Sequence, residues 1–203
     1  GHLELVKFFI EQGANLEDTN AQGWTALTIA ANQGYMQMAQ LLLAKGANVN
    51  PRTESGETPV LQAALKGHVV LMELFLNEKG SLDEAFLGAI RGKQLRIAEN
   101  LLTRGANINV TDAFDNTPLI YAAYDGKPDI VSFLIQNKAD QTLKNQNDQS
   151  AIYWAARNHF PEVTQILLEN KGDANEALLG AVVGGHLDLI QLALKSQADV
   201  NYN

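Results

Sequence analysis

Histidine is the side chain best suited to move protons near neutral pH, and in clusters it binds zinc. This chain has four: His2, His68, His159 and His186. Three of them follow a glycine, in Gly1-His2, Gly67-His68 and Gly185-His186, and so hold one recurring position. They are tens of residues apart, not the few residues that separate ligands on one helix or loop. The sequence therefore predicts no metal site, and these three histidines read as braces at a helix start or between neighbouring segments. His159 precedes Phe160-Pro161. It is expected on a turn, exposed, with no catalytic partner apparent in the sequence.

A second candidate is the run from Gly88 through Gly92 to Lys93. A phosphate loop needs four residues between its glycines and a Ser or Thr after its lysine. Here three residues intervene and Gln94 follows Lys93, so no nucleotide is expected. There is no Gly-x-Gly-x-x-Gly and no Gly-x-Ser-x-Gly, and no carboxylate pair stands apart from the repeat pattern described below. Cysteine is absent, which removes thiolate chemistry and disulfides and fits a reducing, cytoplasmic setting. Neither an enzyme nor a cofactor is expected.

Composition points to a folded chain with a surface for proteins. Of 203 residues, 46% are apolar and 19% charged, unlike a disordered segment. The net charge is −8, and the 15 Lys and Arg are scattered instead of forming the basic stripe that duplex binding requires. Nucleic acid is not expected, and a partner with a basic patch suits the charge better. No apolar run reaches the length of a membrane span, and no secretory signal opens the sequence.

The elements that position these residues repeat along the chain. Gly13-Ala14-Asn15-Leu16 returns as Gly46-Ala47-Asn48-Val49 and Gly105-Ala106-Asn107-Ile108, and more weakly as Lys138-Ala139-Asp140 and Gln197-Ala198-Asp199-Val200. Taken with Gly80 and Gly172, the recurring position falls at 13, 46, 80, 105, 138, 172 and 197, in steps of 33, 34, 25, 33, 34 and 25. The pattern closes after 92 residues, as for a tandem duplication of a long-long-short block. Within a full repeat, Thr58-Pro59 caps and opens a first helix. Ala63-Ala64 permits close approach, Gly67 ends the helix, and His68 to Leu76 forms a second. Neither helix buries its apolar face alone, so stacking is required.

Thr117-Pro118-Leu119-Ile120-Tyr121-Ala122-Ala123, the Gly-His pairs and the Gly-Ala-Asn phrases resemble the ankyrin repeat, over essentially the whole chain. The resemblance implies an all-α fold: a solenoid of stacked helix-turn-helix units with short hairpin loops, two of the repeats being shortened. One domain over 1–203 is expected, with repeats near 1–15 (partial), 16–48, 49–82, 83–107 (short), 108–140, 141–174 and 175–203 (short, terminal). There are departures. Thr28, Leu61, Ile120 and Tyr153 replace the family's helix-one histidine, and Lys138 and Gln197 replace the helix-ending glycine. At 81–86 and 173–178 the chain passes almost directly into a first helix, so the projecting hairpin finger is expected to be missing. Neither end offers a polar capping repeat, which suggests part of a longer protein.

In proteins that this chain resembles, partners meet hairpin tips and the concave face formed by first helices. Tip positions here include Thr19, Asn20, Gln22, Trp24, Arg52, Glu54 and Glu57. In the second block they include Thr111, Asp112, Phe114, Asn116, Lys144, Gln146 and Gln149. Concave helix ends include Asn32, Gln33, Leu65, Lys66, Tyr124, Asp125, Arg157 and Asn158. The residues taken as partner-binding are Trp24, Gln33, Arg52, Glu57, Lys66, Phe114, Tyr121, Tyr124, Asp125, Trp154 and Arg157. Tyr, Trp and Arg dominate interface energetics, so Tyr121, Tyr124, Trp154 and Arg157 are expected to form one patch. Tyr121 and Trp154 also admit a reading as packing between repeats, and Trp24 as hairpin packing against the next repeat. The implied function is a protein-binding scaffold, monomeric before oligomeric, with no membrane contact. The alternatives are a recruitment module of a larger enzyme or secreted effector, and a self-associating architectural solenoid.

Overall fold

The computed structural model describes residues 2–201; Gly1, which the repeat pattern pairs with His2, lies outside them. The described residues form thirteen helices and no strand longer than an isolated bridge. The chain divides into two compact units, Gly1–Asn107 and Ile108–Asn203.

The first unit contains α1 (Leu3–Glu11), α2 (Ala26–Gln33), α3 (Met36–Ala44), α4 (Pro59–Leu65), α5 (Val69–Asn77), α6 (Leu82–Arg91) and α7 (Leu95–Thr103). The second contains α8 (Pro118–Tyr124), α9 (Pro128–Gln136), α10 (Ala151–Arg157), α11 (Pro161–Glu169), α12 (Ala174–Gly184) and α13 (Leu187–Lys195). First helices stack on first helices: α2 on α4 on α6 in one unit, and α8 on α10 on α12 in the other. α3, α5, α7, α9, α11 and α13 each pack on the first helix of their own repeat, and α1 packs on α3.

The first helices form where a side-chain oxygen satisfies the backbone N–H groups that a helix start leaves free. Thr25, Thr58, Ser81, Thr117, Ser150 and Asp173 all cap in this way. Proline follows the cap in α4 and α8, where its missing N–H is not needed. Paired alanines at 30–31, 63–64, 122–123 and 155–156 are buried and let neighbouring helices close. In the short repeats glycine does the same work. A Cβ at Gly88 would collide with the Leu61 carbonyl oxygen, and one at Gly180 with that of Tyr153. The Gly88–Gly92 run is thus a helix-packing surface of α6 and its C-cap. Second helices supply larger apolar groups, such as Phe75 and Leu167, both fully buried. Burying each such side chain contributes about 1.5–3 kcal/mol.

The structure shifts one detail of the repeat register. The residue that ends each second helix in the left-handed conformation is Gly13, Gly46, Lys79, Gly105, Lys138, Lys171 or Gln197, with φ between 68° and 97°. Lys79 and Lys171 hold this place, not Gly80 and Gly172, which come one residue later. The steps are therefore 33, 33 and 26, and the block is still 92. Two further joints, beyond those at Lys138 and Gln197, lack glycine. The misreading arose because Gly80 is selected by crowding: a Cβ there would sit 2.7 Å from the Phe75 carbonyl oxygen.

In the long repeats the fingers are tight turns closed by one side chain. Asn20 Oδ1 accepts from Gln22 N and Trp24 N, and Asp112 Oδ1 from Phe114 N and Asn116 N. Asn145 Oδ1 accepts from Asn147 N and Gln149 N, while Thr53 Oγ1 accepts from Glu57 N. Such local bonds are how Asn, Asp and Thr favour turns. In the short repeats only residues 78–81 separate α5 from α6, and only 170–173 separate α11 from α12, so no finger is present.

A buried glutamate stands where the finger is missing. Glu84 accepts from the Thr58 hydroxyl at 2.7 Å and pairs with Arg52. One block later, Glu176 accepts from the Ser150 hydroxyl at 3.2 Å and from Lys144 at 2.9 Å. Each carboxylate ties the first helix of a short repeat to the N-cap and finger of the preceding long one. The bond to Glu176 holds the Lys144 ammonium well above its ordinary value.

Candidate functional site

The fingers at 112–116 and 145–149 and the first helices α8 and α10 shape a cleft of about 390 Å³ in the second unit. Its walls are Phe114, Ile120, Tyr121, Tyr124 and Trp154, and its rim is Asn116, Asn145, Gln146 and Asn147. Clefts that take ligands run from about 300 to 1,000 Å³, so this one has room for a side chain or two of a partner.

Each wall residue is fixed from its own element. Phe114 sits at the finger turn, half exposed at 51%; its N–H donates to Asp112 and its carbonyl accepts from Gln146 N at 3.1 Å. Tyr121 projects from α8, and its hydroxyl donates to Asp112 Oδ2 at 2.5 Å, tying helix to finger. Tyr124, at the end of α8, is 49% exposed and meets Trp154 of α10 edge to face, centroids 5.0 Å apart. Trp154 also meets Tyr153 edge to face. The Arg157 guanidinium lies 5.0 Å above the Trp154 ring, one helical turn on. Asn158 Nδ2 donates to the Tyr124 carbonyl across the two repeats. Aromatic pairs of this geometry contribute about 0.5–1.5 kcal/mol beyond burial, so the walls are held before any ligand arrives.

The rim is made of amides. Asn116 and Asn145 bond each other at 3.0 Å, and Gln146 Nε2 donates to the Ala113 carbonyl at 2.8 Å. The Asn147 side-chain amide is exposed and has no partner among the described residues. Formal charge around the cleft is negative: Asp115 lies between two lining residues, and Asp148 follows a third.

The other residues singled out by sequence lie elsewhere. In the first unit, Trp24 is half-buried, and its indole N–H donates to Glu57 Oε2 at 3.1 Å. Glu57 also faces Arg91 at 3.5 Å. Two residues taken as tip contacts thus hold each other, in keeping with Trp24 as hairpin packing. Arg52 is engaged by Glu84. Gln33 is exposed and bonds Asn32, which in turn reaches Gln62. Lys66, the C-cap of α4, is exposed. Asp125 is the C-cap of α8, one residue past Tyr124. The sequence reading omitted Ile120, Asn145 and Asn147 as lining residues. It also omitted Glu84 and Glu176, although their separation of one block was visible.

His68 and His186 brace helices. His68 Nε2 lies 3.2 Å from the Asn32 carbonyl and His186 Nε2 3.0 Å from that of Arg157, both near the end of the preceding first helix. His159, for which the sequence offers no catalytic partner, sits 3.1 Å from Asp188 and stacks on His186 at 4.2 Å. Its hydrogen bond holds the exposed Asp188 carboxyl below the usual range. No group of three or more metal-binding side chains occurs among the described residues, and none of their helices is long and apolar enough to cross a membrane.

Comparison with known proteins agrees with this architecture. A family model described as ankyrin repeats in three copies matches residues 1–84 and again 86–177. The oxysterol-binding protein-related protein 1 of Rattus norvegicus is 38% identical over 74 residues, which is 36% of this chain and 8% of that protein. The Mus musculus protein of the same name matches with the same identity and coverage. The match thus spans only a small part of the length of these relatives.

Proposed function

The chain belongs to the ankyrin repeat family, and from that premise we propose that it is a protein-binding scaffold whose contact site is the aromatic cleft of the second unit. Ankyrin repeats are in general protein-interaction modules, and they typically bind without catalysing. The observation that carries the finer reading is the convergence of Phe114, Tyr121, Tyr124 and Trp154, with Arg157 stacked on the indole. Half-exposed aromatics fixed by hydrogen bonds and ring contacts have little conformational freedom left to lose on binding. Residues of these types, in such settings, supply most of the energy of an interface. A reducing cytoplasm fits the absence of cysteine.

The test is capture of a partner by the intact chain as bait, beside the double variant Tyr124→Ala/Trp154→Ala. Circular dichroism and thermal melting establish that both are folded. The captured protein is expected to be lost with the variant. Equal recovery by both baits removes this cleft as the contact site.

A second reading, a recruitment module within a longer chain, is favoured by the relatives, in which the matched stretch is 8% of the length. There the cleft serves the same contact, and the chemistry resides in another part of the protein. Sedimentation of the chain over a range of concentrations separates both readings from a self-associating solenoid, which would gain mass with concentration.

A further inference from the structure

We infer that the cleft takes a basic peptide segment through one apolar anchor side chain; this rests on the cleft being the contact site. Three observations define the occupant. The walls are aromatic and aliphatic, and the volume suits a side chain or two, not a large ligand. The anchor is uncharged because the side chains lining the cleft are aromatic, aliphatic or amide, with no carboxylate among them, and the Trp154 ring already carries the Arg157 guanidinium. A lysine or arginine head entering the cleft would shed water without meeting a carboxylate among the lining residues, whereas an aromatic or branched aliphatic group gains the apolar walls.

The rim speaks for a peptide. Asn147 offers an unengaged side-chain amide, and Gln146 keeps Oε1 free while its Nε2 is bonded to Ala113. An amide supplies one acceptor and two donors, which matches the N–H and C=O groups that flank an anchor residue in a peptide chain.

The surroundings decide the charge of the flanks. The second unit carries twelve acidic and six basic side chains, so most of the net charge of −8 lies in it. Asp115 and Asp148 stand at the tips of the two fingers, each next in sequence to residues that line the cleft. Of the nearby cations, Lys144 is shared between Glu176 and Asp148, and Arg157 lies against Trp154. Basic residues on either side of the anchor meet net negative charge at the tips; acidic ones are repelled.

A random-peptide display library selected on the full chain tests this, in parallel with selection on the folded Tyr124→Ala/Trp154→Ala and Asp115→Asn/Asp148→Asn variants. The expected pool shares one aromatic or branched aliphatic residue flanked by Lys or Arg. Its recovery falls about tenfold or more on the aromatic variant. It falls several-fold on the Asn variant and in high salt, where screening shortens the reach of charge to about 3 Å. A cleft-dependent pool of neutral or acidic peptides overturns the inference, as does recovery insensitive to both variants. If partner capture is lost with the aromatic variant while the selected pool is not basic, the inference fails and the assignment of the contact site stands. If neither capture nor selection depends on the cleft, both fail.

Discussion

Replacing Glu176 tests whether a buried carboxylate does the work of the missing finger. The residue is 3% exposed and accepts hydrogen bonds from Lys144 at 2.9 Å and Ser150 at 3.2 Å. The first is charge-assisted and contributes about 1.5–3 kcal/mol, the second about 0.5–1.5. Glu176→Ala loses both and leaves a small void. Against this, the carboxylate need no longer be stripped of water, and Lys144, with 30% of its side chain exposed, keeps Asp148 at 3.2 Å. Breaking a fully buried pair costs about 3–5 kcal/mol; this half-open one is expected to cost about 2–3. Glu176→Gln keeps the volume and the Ser150 bond and loses about 1 kcal/mol. Lys144→Met is the harshest, at about 3 kcal/mol or more, because it strands the carboxylate. The assay is equilibrium urea unfolding followed by Trp154 fluorescence in a Trp24→Phe background. In a thermal melt, the alanine variant is expected to fall by roughly 5–10 °C for a chain of this size. Alanine and glutamine variants within about 0.5 kcal/mol of the parent would refute the reasoning, since that is the range of an ordinary surface change.

The Lys144 ammonium gives a pH prediction. A folded pKa raised above 10.5 leaves its stabilisation complete below that value and lost only as pH climbs past the folded one. The penalty of Lys144→Met in urea midpoints is thus expected to be constant between about pH 6 and 9; a penalty that shrinks within that window excludes the pairing. Gly180→Ala places a Cβ against the Tyr153 carbonyl and is expected to destabilise by about 1–3 kcal/mol, read as a lower urea midpoint. A neutral or stabilising outcome means that α10 and α12 are less closely packed. Lys138 sits at φ 68°, so Lys138→Gly is expected to raise stability by about 0.5–1 kcal/mol in the same assay, and a loss contradicts the left-handed assignment.

The sequence by itself determined the helices, their caps and the duplicated block. These depend on residues within a turn of one another: Thr58 caps the Leu61 N–H, and Gly34 and Gly67 turn left-handed where α2 and α4 end. Even so, one local reading slipped. At residues 79–80 two pressures act on neighbouring positions, and only the backbone shows that Lys79 takes the left-handed turn while Gly80 answers to crowding. The cleft itself was half legible. Tyr121, Tyr124, Trp154 and Arg157 were grouped by repeat register, because residues about 33 apart stack side by side. That Phe114 and the amides of the next finger close over them was not, since it depends on how two turns lean together. Nor could the sequence tell Trp24 from Trp154. Both stand where the register places exposed surface, yet Trp24 finds Glu57 on the next finger and Trp154 finds Tyr124 and Arg157. Side chains are free to choose among several neighbours at similar local cost. Only the packing of one repeat on the next settles which of them is tied to the neighbouring finger and which is left lining the cleft.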